Sequence, residues 1–182
     1  MVTDQQVPSK AALLEALRSS ERDVLARLRS LPATALEQGR YENGWNARQI
    51  LANVASIEWS YPRLIDIAKQ TPPSAVNATP SATRQTGGQE SSSTRTGTVR
   101  GGIDDYNQRQ IEKRADASVE ELLAEFQKNR AATIAAVEEV DEALLATPIQ
   151  SAGGISGALA SVIDRIAVQH ILAHVNDIVG AD

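Results

Sequence analysis

The only two histidines of the 182-residue chain, His170 and His174, lie four residues apart in a stretch with helical periodicity. On a helix this spacing places the two rings about one turn apart and roughly 40° around the axis. Two imidazoles so placed can hold one divalent metal ion, as in the metalloprotease motif, where a glutamate after the first histidine is the general base. Ile171 occupies that position here, so the sequence excludes a zinc-protease site. The spacing also fits two histidines that line a helical core and hydrogen-bond to a polar partner.

The positions of neighbouring residues indicate which way the two rings project. On a helical wheel for one continuous α-helix, each position is given as an angle around the helix axis, with Ile166 at zero. Leu159 then falls at about 20°, His170 at about 40° and His174 at about 80°. Asp177 returns to about 20° on the same wheel. We therefore expect both imidazoles to project from the face that carries core residues, with Asp177 on the same side.

A third ligand has to come from a facing helix, because metal sites in helical bundles are built from side chains on several helices. The stretch "GWNARQILANVASIEW" predicts a helix in which Asn46 is the N-cap and Gln49 completes a capping box. Asn53 lies at the edge of its buried stripe. Its amide oxygen can bind a metal, more weakly than an imidazole does, or accept a hydrogen bond from a histidine. Asn53 can equally be an ordinary polar residue at the boundary of the core.

Other candidates for chemistry are weaker. Glu42 and Glu58 are possible acids, but a solvated helix face is the commoner place for such residues, and we expect them there. The "GGISG" segment lacks the preceding strand and the lysine of a phosphate-binding loop. The sequence therefore assigns no catalytic residue.

Composition excludes several classes of site and partner. The chain has no cysteine, which rules out disulfides, cysteine-ligated zinc, iron–sulfur clusters and a cysteine nucleophile. A net charge of −5 without a cluster of Lys and Arg argues against nucleic acid as a partner. No apolar run approaches the ~18 residues of a membrane span, and the N-terminus does not resemble a signal peptide. We expect a soluble, cytoplasmic protein that acts on a small molecule.

The hydrophobic pattern predicts an all-α fold, an antiparallel four-helix bundle with one short extra helix, within a single domain that spans residues 1–182. The long helices are predicted over Ser9–Leu31, Asn46–Ala68 with a kink at Pro62, Ser118–Val140 and Ser156–Gly180, and the short one over Asp104–Ala115. Residues 71–102 are rich in Ser, Thr, Gly and Pro, which predicts a long flexible linker, with a substrate-covering lid as the alternative. The stretch "ATPIQSAGG" can hold isolated extended residues but predicts no sheet.

Three segments together resemble the DinB-like superfamily and are similar to the N-terminal domain of mycothiol-dependent maleylpyruvate isomerase. They are "GWNARQILANVASIEW", "DDYNQRQIEKRADASVEELLAEFQKNRAATIAAVE" and "IAVQHILAHVNDIVG". The order and spacing of these segments carry the resemblance, since each motif alone is only moderately specific. It covers most of the chain except the Ser/Thr/Gly-rich segment.

The resemblance implies a four-helix bundle with an open metal site made by three histidines. Two of them come from an H-x-x-x-H motif on the last long helix, which matches His170 and His174. The third comes from a "W-x-x-x-x-(I/V)-L-A-H" context on the second helix, and there this chain reads "ILANV", with Asn53 in place of the histidine. The implied ligand set is thus two imidazoles and one amide, a poorer set for zinc or nickel than three imidazoles.

The function that the resemblance implies is a metal-dependent one. Zinc or nickel at such a site activates a bound water or thiol, which suits thiol-dependent transfer, isomerisation or hydrolysis of a small molecule, with a low-molecular-weight thiol such as mycothiol as co-substrate. The alternative is a bundle that has lost its metal and binds a small ligand in the old pocket or works as a homodimer. Whether metal occupies the site depends on how well Asn53 replaces the missing imidazole.

Overall fold

The computed structural model describes residues 7–39, 44–71 and 102–179, and it has the predicted all-α architecture. In chain order the helices are α1 (Lys10–Arg29), α2 (Ala47–Ile57), α3 (Pro62–Gln70), α4 (Gly102–Glu112), α5 (Val119–Glu139), α6 (Glu142–Leu145), α7 (Leu159–Ile163) and α8 (His170–Val179). Short 3₁₀ turns span Ala33–Glu37 and Glu58–Ser60, and a π-helical segment, Asp164–Gln169, joins α7 to α8. Of the predicted linker 71–102 only Thr71 and Gly102 are among the described residues.

Three of the predicted helix starts are confirmed, and each depends on side chains next to the helix in sequence. Ser9 caps α1 by accepting a hydrogen bond from the backbone N–H of Ala12. Asn46 begins α2 with a capping box: its Oδ1 accepts from the Gln49 N–H at 2.8 Å, and Gln49 Oε1 accepts from the Asn46 N–H at 2.9 Å. Ser118 begins α5 in the same way. These bonds satisfy backbone donors that have no partner inside the helix.

Two predicted long helices are interrupted. The helix predicted to kink at Pro62 is divided into two helices, α2 and α3, and Pro62 is the first residue of α3. The missing N–H of proline costs nothing there, because the first N–H groups of a helix have no partner inside it. The last predicted helix begins at Leu159 rather than Ser156 and contains the π-helical segment. Its predicted end, Gly180, lies outside the described residues.

A small hairpin corrects the prediction that this region holds no sheet. Strands β1 (Pro148–Gln150) and β2 (Ser156–Ala158) pair antiparallel, with Ile149 opposite Gly157. Gly154 turns the chain with φ of 80°, and the Ser151 N–H donates to Ile155 O at 2.8 Å. Strands of three residues are too short for an alternating pattern to show in the sequence.

The bundle is formed by α1, α2, α5 and the α7–α8 helix, in which α1 and α2 each pack against both α5 and α8. Helix α4 covers the outer side of α2. The apolar side chains form two clusters along the bundle, and the second includes Ile50 and Leu51 of α2 together with Ile171 and Val175 of α8. No helix among the described residues is both long enough and apolar enough to cross a bilayer. The packing therefore brings α2, which carries Asn53, against α8, which carries both histidines.

Candidate metal centre

The π-helical segment immediately before His170 decides where the histidine pair points. The backbone N–H of His170 donates to the carbonyl of Arg165, five residues back, instead of to residue 166 as in an α-helix. This bond accommodates one extra residue, which rotates everything downstream by about 100° relative to an unbroken α-helix.

The rotation corrects the prediction that both rings project from the core face. Before the segment, Leu159 is buried, as its position on the helical wheel predicts, and Ile163 is buried with it. After the segment, Ile171 and Val175 take the buried positions that the helical wheel gives to the histidines. His170 is exposed, and the side chain of His174 is 13% exposed. The wheel assumed a continuous α-helix, so it placed the pair about a quarter of a turn too far inward. The two imidazoles lie at the edge of the bundle, within reach of a small molecule.

The two rings face each other through the same nitrogen. His170 Nε2 and His174 Nε2 are 2.9 Å apart, with ring centroids separated by 4.2 Å and planes at 67°. At this distance one ring donates an Nε2–H to the bare Nε2 of the other. Two nitrogens about 2.1 Å from one ion and at right angles to each other would be about 3 Å apart. The same arrangement therefore suits a shared proton or, once that proton leaves, a shared divalent ion.

Electrostatics keep both rings neutral and so able to bind a metal. Burial lowers the pKa of His174 to about 4, and the neighbouring His170 adds to the effect. Desolvation also lowers the pKa of His170, although part of its ring contacts water. Asp177 Oδ2 lies 3.8 Å from His174 Nδ1, on the side away from the pair, and attracts a proton at that nitrogen. The predicted proximity of Asp177 and His174 is confirmed.

The low pKa of His174 predicts how the metal-free protein responds to acid. Between pH 4 and pH 6.5 the unfolded chain binds more protons than the folded one, so stability is complete above pH 6.5 and is lost as the pH falls. We expect His174 to account for a loss of about 2 kcal/mol in the free energy of unfolding between pH 7 and pH 5.

Urea denaturation in the presence of EDTA measures this loss. His174→Gln should show a shallower decline with acid than the unchanged protein, while the carboxylates that titrate in the same range are common to both. Parallel pH profiles would show that His174 is protonated normally in the folded state.

Asn53 has the burial expected of a third ligand. The residue is 4% exposed, and Oδ1 has no hydrogen-bond partner among the described residues. A buried acceptor without a donor costs about 1–3 kcal/mol, so its presence calls for an explanation such as an unseen ion or water. Among the described residues no group of three His, Cys, Asp or Glu side chains could hold a metal ion. A metal at the histidine pair would therefore depend on an amide or water oxygen to complete its coordination, and the donors present fit a weakly held divalent ion.

A buried ion pair beside this region was missed in the sequence. Glu58, predicted to face solvent, is 0% exposed, and its carboxylate binds Arg130 of α5 at 2.5 and 3.1 Å. Burial raises the pKa of Glu58 in spite of the adjacent guanidinium. The sequence does carry a signal, because Arg130 lies four residues after Phe126 within the apolar stripe of α5. A charged residue at such a position needs a buried partner, and Glu58 supplies it.

A second buried amide oxygen lies on α4. Asn107 Oδ1 on α4 is buried without a hydrogen-bond partner among the described residues, next to Tyr106, whose hydroxyl accepts from Trp59 Nε1 at 3.1 Å.

Comparison with known proteins adds one finding. The family model described as the DinB superfamily matches residues 16–177, which include Asn53, His170 and His174. No curated protein and no solved structure matches the chain. The match is to the superfamily as a whole.

Proposed function

The chain belongs to the DinB superfamily, and we propose that it is a metal-dependent member in which His170, His174 and Asn53 hold one divalent ion, zinc or nickel. The observation that carries this proposal is the 2.9 Å approach of two Nε2 atoms at the edge of the bundle. Both rings are neutral near pH 7, as metal ligation requires. The unpartnered oxygen of Asn53, on a helix that packs against α8, supports the third position.

The ion, when bound, would act as a Lewis acid that lowers the pKa of a coordinated water or thiol. The chain itself would hold and shape this position. Asp177 would orient the His174 ring through Nδ1, which leaves Nε2 free for the ion. Asn53 is a neutral donor, so the site would keep more net positive charge than one with a carboxylate ligand and would favour an anionic nucleophile.

The proposed substrates are a small molecule and a low-molecular-weight thiol. Because the chain has no cysteine, a thiol in the reaction has to come from solution. The resemblance of three sequence segments to the N-terminal domain of mycothiol-dependent maleylpyruvate isomerase is the basis for proposing thiol-dependent transfer or isomerisation. Hydrolysis is the alternative reaction that we propose for such a site. We propose these reaction classes by analogy with other proteins of the same fold.

The competing proposal is a metal-free bundle that binds a small ligand. One specific observation favours it: a hydrogen bond between His170 Nε2 and His174 Nε2 satisfies the pair without any ion. Asn53, in place of the third imidazole that the resemblance implies, also favours the metal-free proposal, because an amide binds zinc more weakly than an imidazole does.

Metal analysis of protein purified without a His-tag separates the two proposals. We expect about one zinc or nickel per chain after loading and desalting, and at least a 100-fold lower affinity in His174→Ala. Asn176→Ala, exposed on the same helix, is the matched control and should bind as the unchanged protein does. Absence of bound metal, together with a stability that EDTA does not change, would overturn the metal-dependent proposal and favour the ligand-binding one.

A further inference from the structure

The π-helical segment Asp164–Gln169 leaves a carbonyl whose usual partner has been replaced. In an α-helix the His170 N–H would donate to Ile166 O, but here it donates to Arg165 O. Ile166 O instead accepts the hydroxyl of Tyr61 at 3.1 Å. A side chain from the α2–α3 junction thus takes the place of the backbone donor that the π register removes, and the half-buried carbonyl keeps a partner.

The next carbonyl in the segment is held from another helix. Arg130 Nη2 on α5 donates to Ala167 O at 2.5 Å. The guanidinium is itself immobilised, since its remaining N–H groups donate to the Glu58 carboxylate, to Leu17 O at 3.0 Å and to Ser20 Oγ at 2.7 Å. Arg130 is therefore a rigid donor, with each of its five N–H groups engaged.

Both donors are buried in the middle of the bundle, on elements other than the one that bears the histidines. Tyr61 is 2% exposed and Arg130 is 0% exposed. Their two adjacent acceptors, Ile166 and Ala167, lie four and three residues before His170. The segment that sets the direction of the histidine pair is thus clamped from the core side by two fixed hydrogen bonds.

We propose that Tyr61 and Arg130 are positioning residues for the His170–His174 pair, which hold Asp164–Gln169 in its π-helical form and thereby aim the two imidazoles. If the segment relaxed to an α-helix, the pair would rotate by about 100° relative to α7, or the downstream core residues would leave their sites. Loss of the Tyr61 hydroxyl would remove this bond from Ile166 O, and relaxation to an α-helix would give the carbonyl a backbone donor again. The relevance to metal binding depends on the proposed function, whereas the effect on ring geometry does not.

Tyr61→Phe tests this role with the loss of a single oxygen atom. The matched control is Tyr106→Phe, because the Tyr106 hydroxyl is bonded to Trp59 and not to a carbonyl of the π-helical segment. Two readouts are needed: binding and visible absorption of Co²⁺ as the probe ion, and the imidazole ¹⁵N resonances of the metal-free protein. Neither readout would respond to a uniform change in stability, provided that the variant is folded.

We expect Tyr61→Phe to bind Co²⁺ at least tenfold more weakly, with an altered absorption spectrum and shifted imidazole resonances, while Tyr106→Phe matches the unchanged protein. If the unchanged protein binds Co²⁺ and Tyr61→Phe binds it equally with the same spectrum, the positioning role is wrong and the proposed function stands. If no form binds Co²⁺, the proposed function fails, and the resonances alone decide: shifts confined to Tyr61→Phe support the positioning role, and identical resonances overturn it. Should Tyr61→Phe not fold, Ser20→Ala, which removes one anchor of Arg130, is measured against the same control and the same outcomes.

Discussion

Replacing Arg130 by methionine should lower the free energy of unfolding by about 3–5 kcal/mol, a large part of the stability of a domain this size. Methionine matches the length of the side chain but donates no hydrogen bonds. The Glu58 carboxylate would then be buried without a counter-ion, and Ser20 Oγ would lose a donor. The cost comes from stranding these groups and not from the intrinsic strength of the ion pair, whose attraction is offset by desolvation.

Urea denaturation at pH 7 measures this effect, with two variants as controls. Arg18→Met removes an ion pair with Glu138 in which both side chains are more than 40% exposed, and it should cost less than about 1 kcal/mol. Glu58→Leu combined with Arg130→Met should recover most of the lost stability, because no charge is left buried.

Acid gives an independent check on the same variant. Burial already raises the pKa of Glu58, and without Arg130 the carboxyl can become neutral by taking up a proton. The deficit of Arg130→Met should therefore shrink as the pH falls towards 5. A deficit no larger than that of Arg18→Met, or one that does not depend on pH, would contradict a buried and charged Glu58.

Replacing Asn53 by histidine should raise the affinity for Zn²⁺ by about 100-fold or more. The change places a nitrogen donor at the position where the resemblance implies a histidine, and imidazole suits zinc better than a neutral amide oxygen does. Asn53 is already buried on the helix that packs against α8. Competition with a fluorescent chelator measures the change in affinity.

Asn53→Leu is the matched control for this prediction. It removes the buried oxygen that has no partner among the described residues, so the metal-free protein should become more stable by about 1–2 kcal/mol while metal binding weakens. If Asn53→His leaves the affinity for Zn²⁺ unchanged, Asn53 does not face the histidine pair. If Asn53→Leu is destabilising, the amide has a structural partner, such as a bound water.

The parts of this fold that sequence predicts are those that depend on near neighbours. Asn46 and Ser118 begin helices because each meets a side chain three residues further on, and that pattern is visible in the letters alone. Pro62 was recognised as an interruption for the same reason. The three candidate ligands follow from the order and spacing of the motifs and from the resemblance that those motifs carry, and they stay predictions.

The parts that sequence does not predict depend on contacts between distant segments. The π-helical segment before His170 has no recognisable sequence pattern. Two of its carbonyls accept hydrogen bonds from distant residues: Tyr61, 105 residues before Ile166, and Arg130, 37 residues before Ala167. The error in the direction of the histidines follows from this one insertion. Glu58 was misassigned because its burial depends on a partner 72 residues further along the chain.

The five engaged N–H groups of Arg130 bear on how the chain reaches this structure. Their acceptors lie on α1, on the turn after α2 and on the π-helical segment, while the guanidinium comes from α5. A half-assembled bundle that lacks any one of these segments must leave a buried cation or its carboxylate short of partners. Partly folded states and wrongly docked helices are thereby penalised more than an apolar core alone would penalise them. The Arg130–Glu58 ion pair thus contributes little net free energy to the native bundle but widens the free-energy gap between the native bundle and other compact states.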